Sequence, residues 1–395
     1  MINLFGYFIG TFIFFFLWTF LKKRNLKSKI LFFYHSIWGA FFLLYSLSNP
    51  SDIRALFNDN SIRGCVELFE YPLDNSNIVY CSTYVFKRFF IDNYGLLCSI
   101  FNFIGFIALN IFFKSFLNLR LKNKFDKYLI TCFFFLPSIS FWSSINYKDS
   151  IVLLAYSLLL DFIITFEKNK ISKLKIFKSF IFLVFALMVR PYSFLIILIS
   201  IFLVLIILFI KDLYKRNINK SIFFIILLST LLFYPSINIV SNQFSIETEW
   251  YKLNSLNLSL LKKRSALNYQ YSMNKSSFIS NKGFSKLLFD LFGPFSIKSL
   301  YYSIESFSGI IFSLIFFRFI FYSVFKKLNF KRPEILFSLF IFCIELLKVH
   351  TGVFNVGILV RHRLIIYLMF AFIFISQSKF NEDIKNSKNF SRNLN

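Results

Sequence analysis

Residues 176–210 read IFKSFIFLVFALMVRPYSFLIILISIFLVLIILFI, and this stretch decides the fold. It is too long for one helix across about 30 Å of hydrocarbon, which takes roughly 20 apolar residues. Arg190-Pro191 interrupts it. Proline removes a helical hydrogen bond and clashes with the preceding turn, and an arginine is costly at mid-membrane depth. The stretch therefore reads as two membrane-spanning helices that meet at a boundary, with Arg190 at the corner.

Runs of the same kind recur outward in both directions. The expected spans are residues 4–21, 30–47, 95–113, 129–145, 150–166, 176–189, 193–210, 221–240, 300–325, 334–350 and 364–377. They predict an all-α polytopic integral membrane protein with about eleven transmembrane helices, in a range of 10–12, as one transmembrane domain over residues 1–395. The composition agrees: 57% of the residues are hydrophobic, far above a soluble globular mixture. With 62 Phe and abundant Ile, Asn and Lys, the chain reads as the product of an AT-rich genome, so the Phe excess marks no aromatic site.

The links sort by charge. Those at 22–29, 114–127, 168–178, 211–220, 326–332 and 379–392 are short and densely basic, and hold well over half of the 45 Lys plus Arg. They alternate with links that are long or nearly uncharged. Cytoplasmic loops carry the excess of Lys and Arg, so the basic set is expected inside. The N-terminus is then outside and the C-terminal tail, residues 378–395, is cytoplasmic. Two longer segments, 48–94 and 241–299, are expected outside. The net charge of +26 belongs to the membrane-flanking links, and no nucleic-acid-binding module accompanies it. Residues 3–21 form a full span followed by Lys22-Lys23-Arg24, so no cleavable leader is expected. Cys65 and Cys81 share the first long segment, where an oxidising compartment would permit a disulfide. Cys98, Cys132 and Cys343 sit in spans as packing residues. His35, His350 and His362 are too scattered to form a metal site, and no metal or cofactor is evident, although a divalent metal stays open.

The polar residues least expendable in lipid lie at corners on the expected outer face. The stretch LPSISFWSSINYKD, residues 136–149, is broken by Pro137, brings Trp142 toward the interface, and presents Lys148 and Asp149 at the mouth of the next helix. Asp149 suits the positive end of the helix dipole. Lys148 is either a snorkelling lysine beside a helix cap or a phosphate ligand held by that carboxylate. Arg190 needs an anion: a substrate, a lipid headgroup or a protein carboxylate. Arg361 and Arg363 flank His362 just before the last span, and paired guanidinium groups suit phosphate. Gly293-Pro294 makes a turn, with Glu305 following. Glu305, Glu345 and Asp161 are carboxylates in apolar surroundings, expected to pair with Arg318, Lys348 or the corner cations. Asp52 and Asp59 follow the second span and are candidate external bases.

Together LPSISFWSSINYKDS, VRPYSF, FGPFSIKSL with its later Glu, and FNVGILVRHR resemble an uncharacterised family of polytopic membrane proteins from bacterial surface-polysaccharide loci. That family is distantly similar to C-type membrane glycosyltransferases and to O-antigen and exopolysaccharide polymerases. The resemblance covers about residues 130–377. Leu364-Ile365-Ile366 stands where a Pro often follows the paired arginines. The resemblance implies a glycosyltransferase or polymerase that uses polyprenyl-phosphate-linked sugars at the outer face of the bacterial cytoplasmic membrane. Lys148, Arg190, Arg361 and Arg363 would bind phosphate, and Asp149, Asp52 or Asp59 would serve as base. Trp142, Glu305 and His362 would support them. Its partners would be the lipid-linked sugar, membrane lipids and polysaccharide-assembly proteins, with no nucleic acid. The alternative is a transporter or flippase for a lipid-linked or anionic substrate. The four cations are expected to line one outer cavity. Sugar, linkage and acceptor are not legible in the sequence.

Overall fold

The computed structural model describes residues 2–21, 25–48, 57, 65, 77–89, 93–117, 124–144, 147–167, 173–214, 283–293, 300–325, 332–352, 359, 361–374 and 376. Among them every regular element is an α-helix. In chain order these are α1 (Ile2–Leu21), α2 (Leu26–Ser48), α3 (Asn77–Phe89), α4 (Tyr94–Leu117), α5 (Lys124–Phe134), α6 (Pro137–Ser144) and α7 (Tyr147–Glu167). Then come α8 (Lys173–Val189), α9 (Pro191–Tyr214), α10 (Gly283–Phe292), α11 (Leu300–Phe325) and α12 (Pro333–Gly352). A last helix, α13, covers 361–374.

Ten of the eleven expected spans coincide with these helices; the span at 221–240 lies outside the described residues. Among the described residues, four helical stretches are long and apolar enough to cross a membrane: Ile2–Leu21, Leu26–Ser48, Tyr94–Phe116 and Ser303–Ile320. This fits a multi-pass helical membrane protein. Charge is spread along some of the other helices. α7 holds Lys148, Asp149, Asp161 and Glu167, and α12 holds Glu334, Glu345 and Lys348.

Prolines set three of the helix starts. Pro137, Pro191 and Pro333 each occupy a first helical position, where the missing N–H costs nothing. Arg190 both ends α8 and caps α9. Its N–H donates to Ala186 O at 2.8 Å, and its carbonyl accepts from Ser193 N at 3.0 Å and Phe194 N at 3.2 Å. Before Pro137 the chain tightens: Phe135 N donates to Cys132 O at 3.1 Å and Leu136 N to Phe133 O at 3.1 Å, the three-residue spacing of a 3₁₀ turn. The expected span at 129–145 is therefore two short helices rather than one.

The described residues divide into two compact units. The first comprises those up to Phe113 together with Ile139–Phe202; the second comprises Lys114–Ser138 and those from Leu203 onward.

In the first unit α1, α2 and α4 share a buried polar seam. Tyr7 Oη donates to Ser36 O at 2.8 Å, His35 Nε2 is hydrogen-bonded to Asn102 O at 3.1 Å, and Asn102 Nδ2 donates to Ser36 Oγ at 3.3 Å. Aromatic packing of Trp18, Phe32 and Phe106 closes the seam on one side. Two-thirds of the apolar window of α4 is buried, against about a fifth of that of α1 (67% and 22%). α1 turns Phe5, Phe12, Phe16 and Phe20 outward at helical spacing, the face expected to meet acyl chains. α7 and α8 pack side by side. Gly105 lets α4 approach the end of α6 so closely that a Cβ would overlap the Ser143 carbonyl.

In the second unit α5 and the following turn run antiparallel to α11. Two rungs show it: Asp126 meets Arg318 at 3.4 Å, and Ser138 donates to Glu305 at 2.9 Å, with the order reversed along α11. Phe312 stacks on Tyr367 at 3.9 Å between centroids, joining α11 to α13. Gly309 of α11 lies against the Phe292 carbonyl at the end of α10 with no room for a side chain.

Candidate functional site

The first unit brings two of the sequence-marked corners into contact. Asp149, in the first turn of α7, forms an ion pair through Oδ1 with Nη1 of Arg190, at the α8–α9 junction. The start of α7 and the end of α8 therefore lie at one level. Asp149 is 6% exposed and Arg190 12%. Asp149 has its Oδ2 buried without a hydrogen bond. Of the partners open to Arg190, the structure shows the protein carboxylate. Lys148 is half-buried beside this pair in sequence. Trp142 is buried, packed on Phe42 and Phe141 in the core of the unit.

The first long segment is fastened to the same unit. Cys65 and Cys81 form a disulfide, which ties residue 65 to α3. Lys87 Nζ donates to Phe57 O at 2.7 Å and lies over the Phe57 ring. Phe57 in turn packs on Tyr94, whose hydroxyl is hydrogen-bonded to Ser46 Oγ at 3.0 Å. Asp52 and Asp59 lie outside the described residues.

The second unit joins the other two corners. Arg363 is 1% exposed and is spent on the C-terminal end of α10. Its Nη1 donates to Gly293 O, and its Nη2 donates to Phe289 O at 3.3 Å. Tyr367, one turn later on α13, donates to Leu291 O at 2.7 Å and accepts from Arg363 Nη1 at 3.4 Å. Such carbonyls are the orphan acceptors of a helix end, and they carry the negative end of its dipole. Arg363 thus secures α10 through neutral acceptors. Glu305 and Arg363 both act electrostatically on Tyr367, which places the three in one neighbourhood. Both Glu305 oxygens accept from the Ser138 hydroxyl, at 2.9 and 3.0 Å. His362 is buried and Arg361 half-buried at the start of α13; the Asn355–Gly357 part of this corner and Pro294 lie outside the described residues.

Sequence reasoning missed a further pair here. His350, near the end of α12, is hydrogen-bonded through Nδ1 to Asp290 Oδ2 at 3.0 Å. Asp290 is 0% exposed, whereas His350 is 29% exposed. The available signal was an aspartate within the apolar run LLFDLF just before Gly293. Of the apolar carboxylates, Glu345 does pair with Lys348, whereas Arg318 takes Asp126. Glu334 pairs with Arg332 at the start of α12. Among the described residues, no group of three or more His, Cys, Asp or Glu is placed to hold a metal ion.

Comparison with known proteins adds no relative: no family model, curated protein or solved structure matches the chain.

Proposed function

We propose that this chain is a glycosyltransferase or polysaccharide polymerase that takes polyprenyl-phosphate-linked sugars at the outer face of the bacterial cytoplasmic membrane. In this reading it spans the membrane about eleven times, with the N-terminus outside and the C-terminus in the cytoplasm. The Cys65–Cys81 disulfide supports that sense, because the segment between α2 and α4 then meets an oxidising compartment. The basic links support it from the other side.

The observation that carries the reading is the Asp149–Arg190 pair. Two corners singled out from sequence as parts of one anion site are in contact, and they are built on helix ends rather than on mobile loops. Arg190 and Lys148 bind the phosphate of the lipid-linked donor and offset charge on the leaving group as the glycosidic bond breaks. Asp149 holds the guanidinium in place. Arg363 positions α10 in this scheme rather than touching donor.

A second reading, a flippase for the same kind of lipid, is favoured by Glu345–Lys348, a charge pair within α12 rather than at a corner. The test is Arg190→Lys at matched membrane abundance, with the surface glycan followed by gel and the lipid-linked precursor by mass spectrometry. Transfer predicts loss of long glycan with precursor accumulating on the outer leaflet, because a point charge does not replace the planar fork. Precursor trapped on the inner leaflet would support the flippase, and unchanged glycan would remove Arg190 from any site.

A further inference from the structure

The start of α5 sets cations beside aromatic rings. Asp126, Leu129, Ile130, Phe133 and Phe134 form the buried face of this helix. Lys124, Phe125, Lys127 and Tyr128 are exposed, the two rings at 57% and 68%. Arg318 of α11 joins them. Its Nε lies 3.4 Å from Asp126 Oδ1, and its guanidinium carbon lies 5.5 Å from the centre of the Phe125 ring, a cation–π contact. Arg318 is 30% exposed, and Asp126 beneath it is sealed. Asp126 is the one acid between Lys114 and Phe134, so turning it inward leaves the exposed face of α5 cationic. The depth of this face follows from α11. Arg318 stands just before the end of Ser303–Ile320, the part of α11 long and apolar enough to cross a membrane. Because α5 runs antiparallel to α11 and Asp126 meets Arg318, residues 124–128 lie near the level where that stretch ends.

The two kinds of side chain narrow the partner. A soluble anion would suit the lysines and leave two large rings in water. Acyl chains alone would suit the rings and leave the lysines without an anion. A phospholipid at its headgroup level supplies both, phosphate oxygens for the cations and the boundary layer that aromatic rings prefer. A zwitterionic headgroup brings its own ammonium, which the lysines repel; an anionic one does not.

We propose that the start of α5, together with Arg318, is a headgroup site for an anionic phospholipid. Lys124, Lys127 and Arg318 hold the phosphate, and the rings of Phe125 and Tyr128 lie at the boundary between headgroup and acyl chain. Asp126 positions Arg318 from beneath. The site lies wholly within the second unit, and it serves a transferase and a flippase alike. With the basic links in the cytoplasm, it meets the inner leaflet, where anionic lipid draws basic segments to the surface.

The experiment uses the full-length protein in phosphatidylcholine vesicles with a minor fraction of phosphatidylglycerol. A trace of phosphatidylglycerol carries a photoactivatable diazirine on its headgroup, and the labelled residues are located by mass spectrometry. Label should appear within residues 124–128. Added unlabelled phosphatidylglycerol should displace it, whereas the same amount of phosphatidylcholine, or inorganic phosphate, should not. Lys124→Gln combined with Lys127→Gln should lower this labelling by about tenfold or more at low salt, since each lysine near the surface is worth about fivefold. Arginine at both positions should preserve it, and rising salt should weaken it. Absence of label from residues 124–128 overturns the proposal, as does undiminished labelling in the double glutamine variant. Displacement by phosphatidylcholine as readily as by phosphatidylglycerol also overturns it, because the rings then meet the bilayer without selecting a headgroup. Displacement by inorganic phosphate overturns it in favour of a soluble anion. Should the glutamine variant fail to fold, the competition on the unmodified protein decides between the same outcomes.

Discussion

In the first compact unit a half-buried arginine is answered by a carboxylate; in the second a buried one is answered by carbonyl oxygens and a tyrosine hydroxyl. Arg190 and Asp149 cancel each other's charge across the ends of α7 and α8. Arg363 meets Gly293 O, Phe289 O and the Tyr367 hydroxyl, all neutral. The difference matters for both stability and chemistry. An ion pair is all-or-none, because removing one member leaves the other charged and buried. A guanidinium held by dipoles is divisible, since each hydrogen bond can be lost separately. The first arrangement joins two helix ends through one charge pair, and the second fixes a helix end through several neutral acceptors.

The comparison is broken most directly at Arg190. Arg190→Ala leaves Asp149 buried and charged, and should destabilise the first unit by about 3–5 kcal/mol. Adding Asp149→Ala should recover most of that loss, because the stranded charge goes with it. Thermal unfolding in detergent, read by tryptophan fluorescence, measures both. A double variant no more stable than Arg190→Ala would mean that the pair is not what holds the two helix ends together.

Arg363→Lys comes next, with an expected loss of about 2–3 kcal/mol. A lysine keeps the charge and gives up the fork, so at least one of the Gly293 and Phe289 carbonyls is left buried without a donor, at about 1–3 kcal/mol each. No second substitution should rescue it as Asp149→Ala rescues Arg190→Ala, because its hydrogen-bond partners are two carbonyls and a hydroxyl. Rescue by Glu305→Gln would show that the buried guanidinium is balanced by Glu305 after all, and the contrast between the units would fall. Limited proteolysis near α10 gives an independent reading of whether that helix has come loose.

Much of this architecture is legible in the sequence, for physical reasons that also set the limits. Hydrophobic runs mark helices because lipid leaves the backbone no other partners, and the prolines at 137, 191 and 333 mark helix starts because they lack an N–H. The corner cations stand out because charge is rare between apolar runs. Partners are harder. Asp149 and Arg190 each look like a ligand for something, and nothing in one sequence says that they bind each other. His350 and Asp290 are 60 residues apart, and each has a bland reading alone. α3 and α10 lie in the long segments between spans, and both are too short and too mixed in composition to announce themselves as spans do. Asp126 escaped notice because it stands in a lysine-rich link, where an acid looks like ordinary surface; the structure buries it against Arg318.

A milder change tests the same unit at a carboxylate. Ser138→Ala removes the hydroxyl shared by both Glu305 oxygens and should cost about 1.5–2 kcal/mol, at the low end for a hydrogen bond to a charged group. Glu305→Gln on that background should relieve part of the cost, since a neutral amide suffers less from losing a donor. The same detergent melt serves. If Ser138→Ala unfolds at the original temperature, the rung between α6 and α11 carries no weight, and the helices are aligned by Asp126–Arg318 alone among the two.

The smallest expected effect is the sharpest test of divisibility. Tyr367→Phe deletes one oxygen and keeps the ring, which stays stacked on Phe312 at 3.9 Å. The Leu291 carbonyl loses its donor, and Arg363 loses its longest hydrogen bond, at 3.4 Å, while keeping those to Gly293 and Phe289. A loss of about 1 kcal/mol follows, near the net worth of one buried hydrogen bond. Combining Tyr367→Phe with Arg363→Lys should give nearly the sum of the two losses, with a coupling of about 0.5 kcal/mol from the bond they share. The cycle at Asp149 and Arg190 should instead show a coupling several times larger. Equal couplings in the two cycles would mean that the arginine in the second unit behaves as one member of a charge pair, and that the two units do not use it differently.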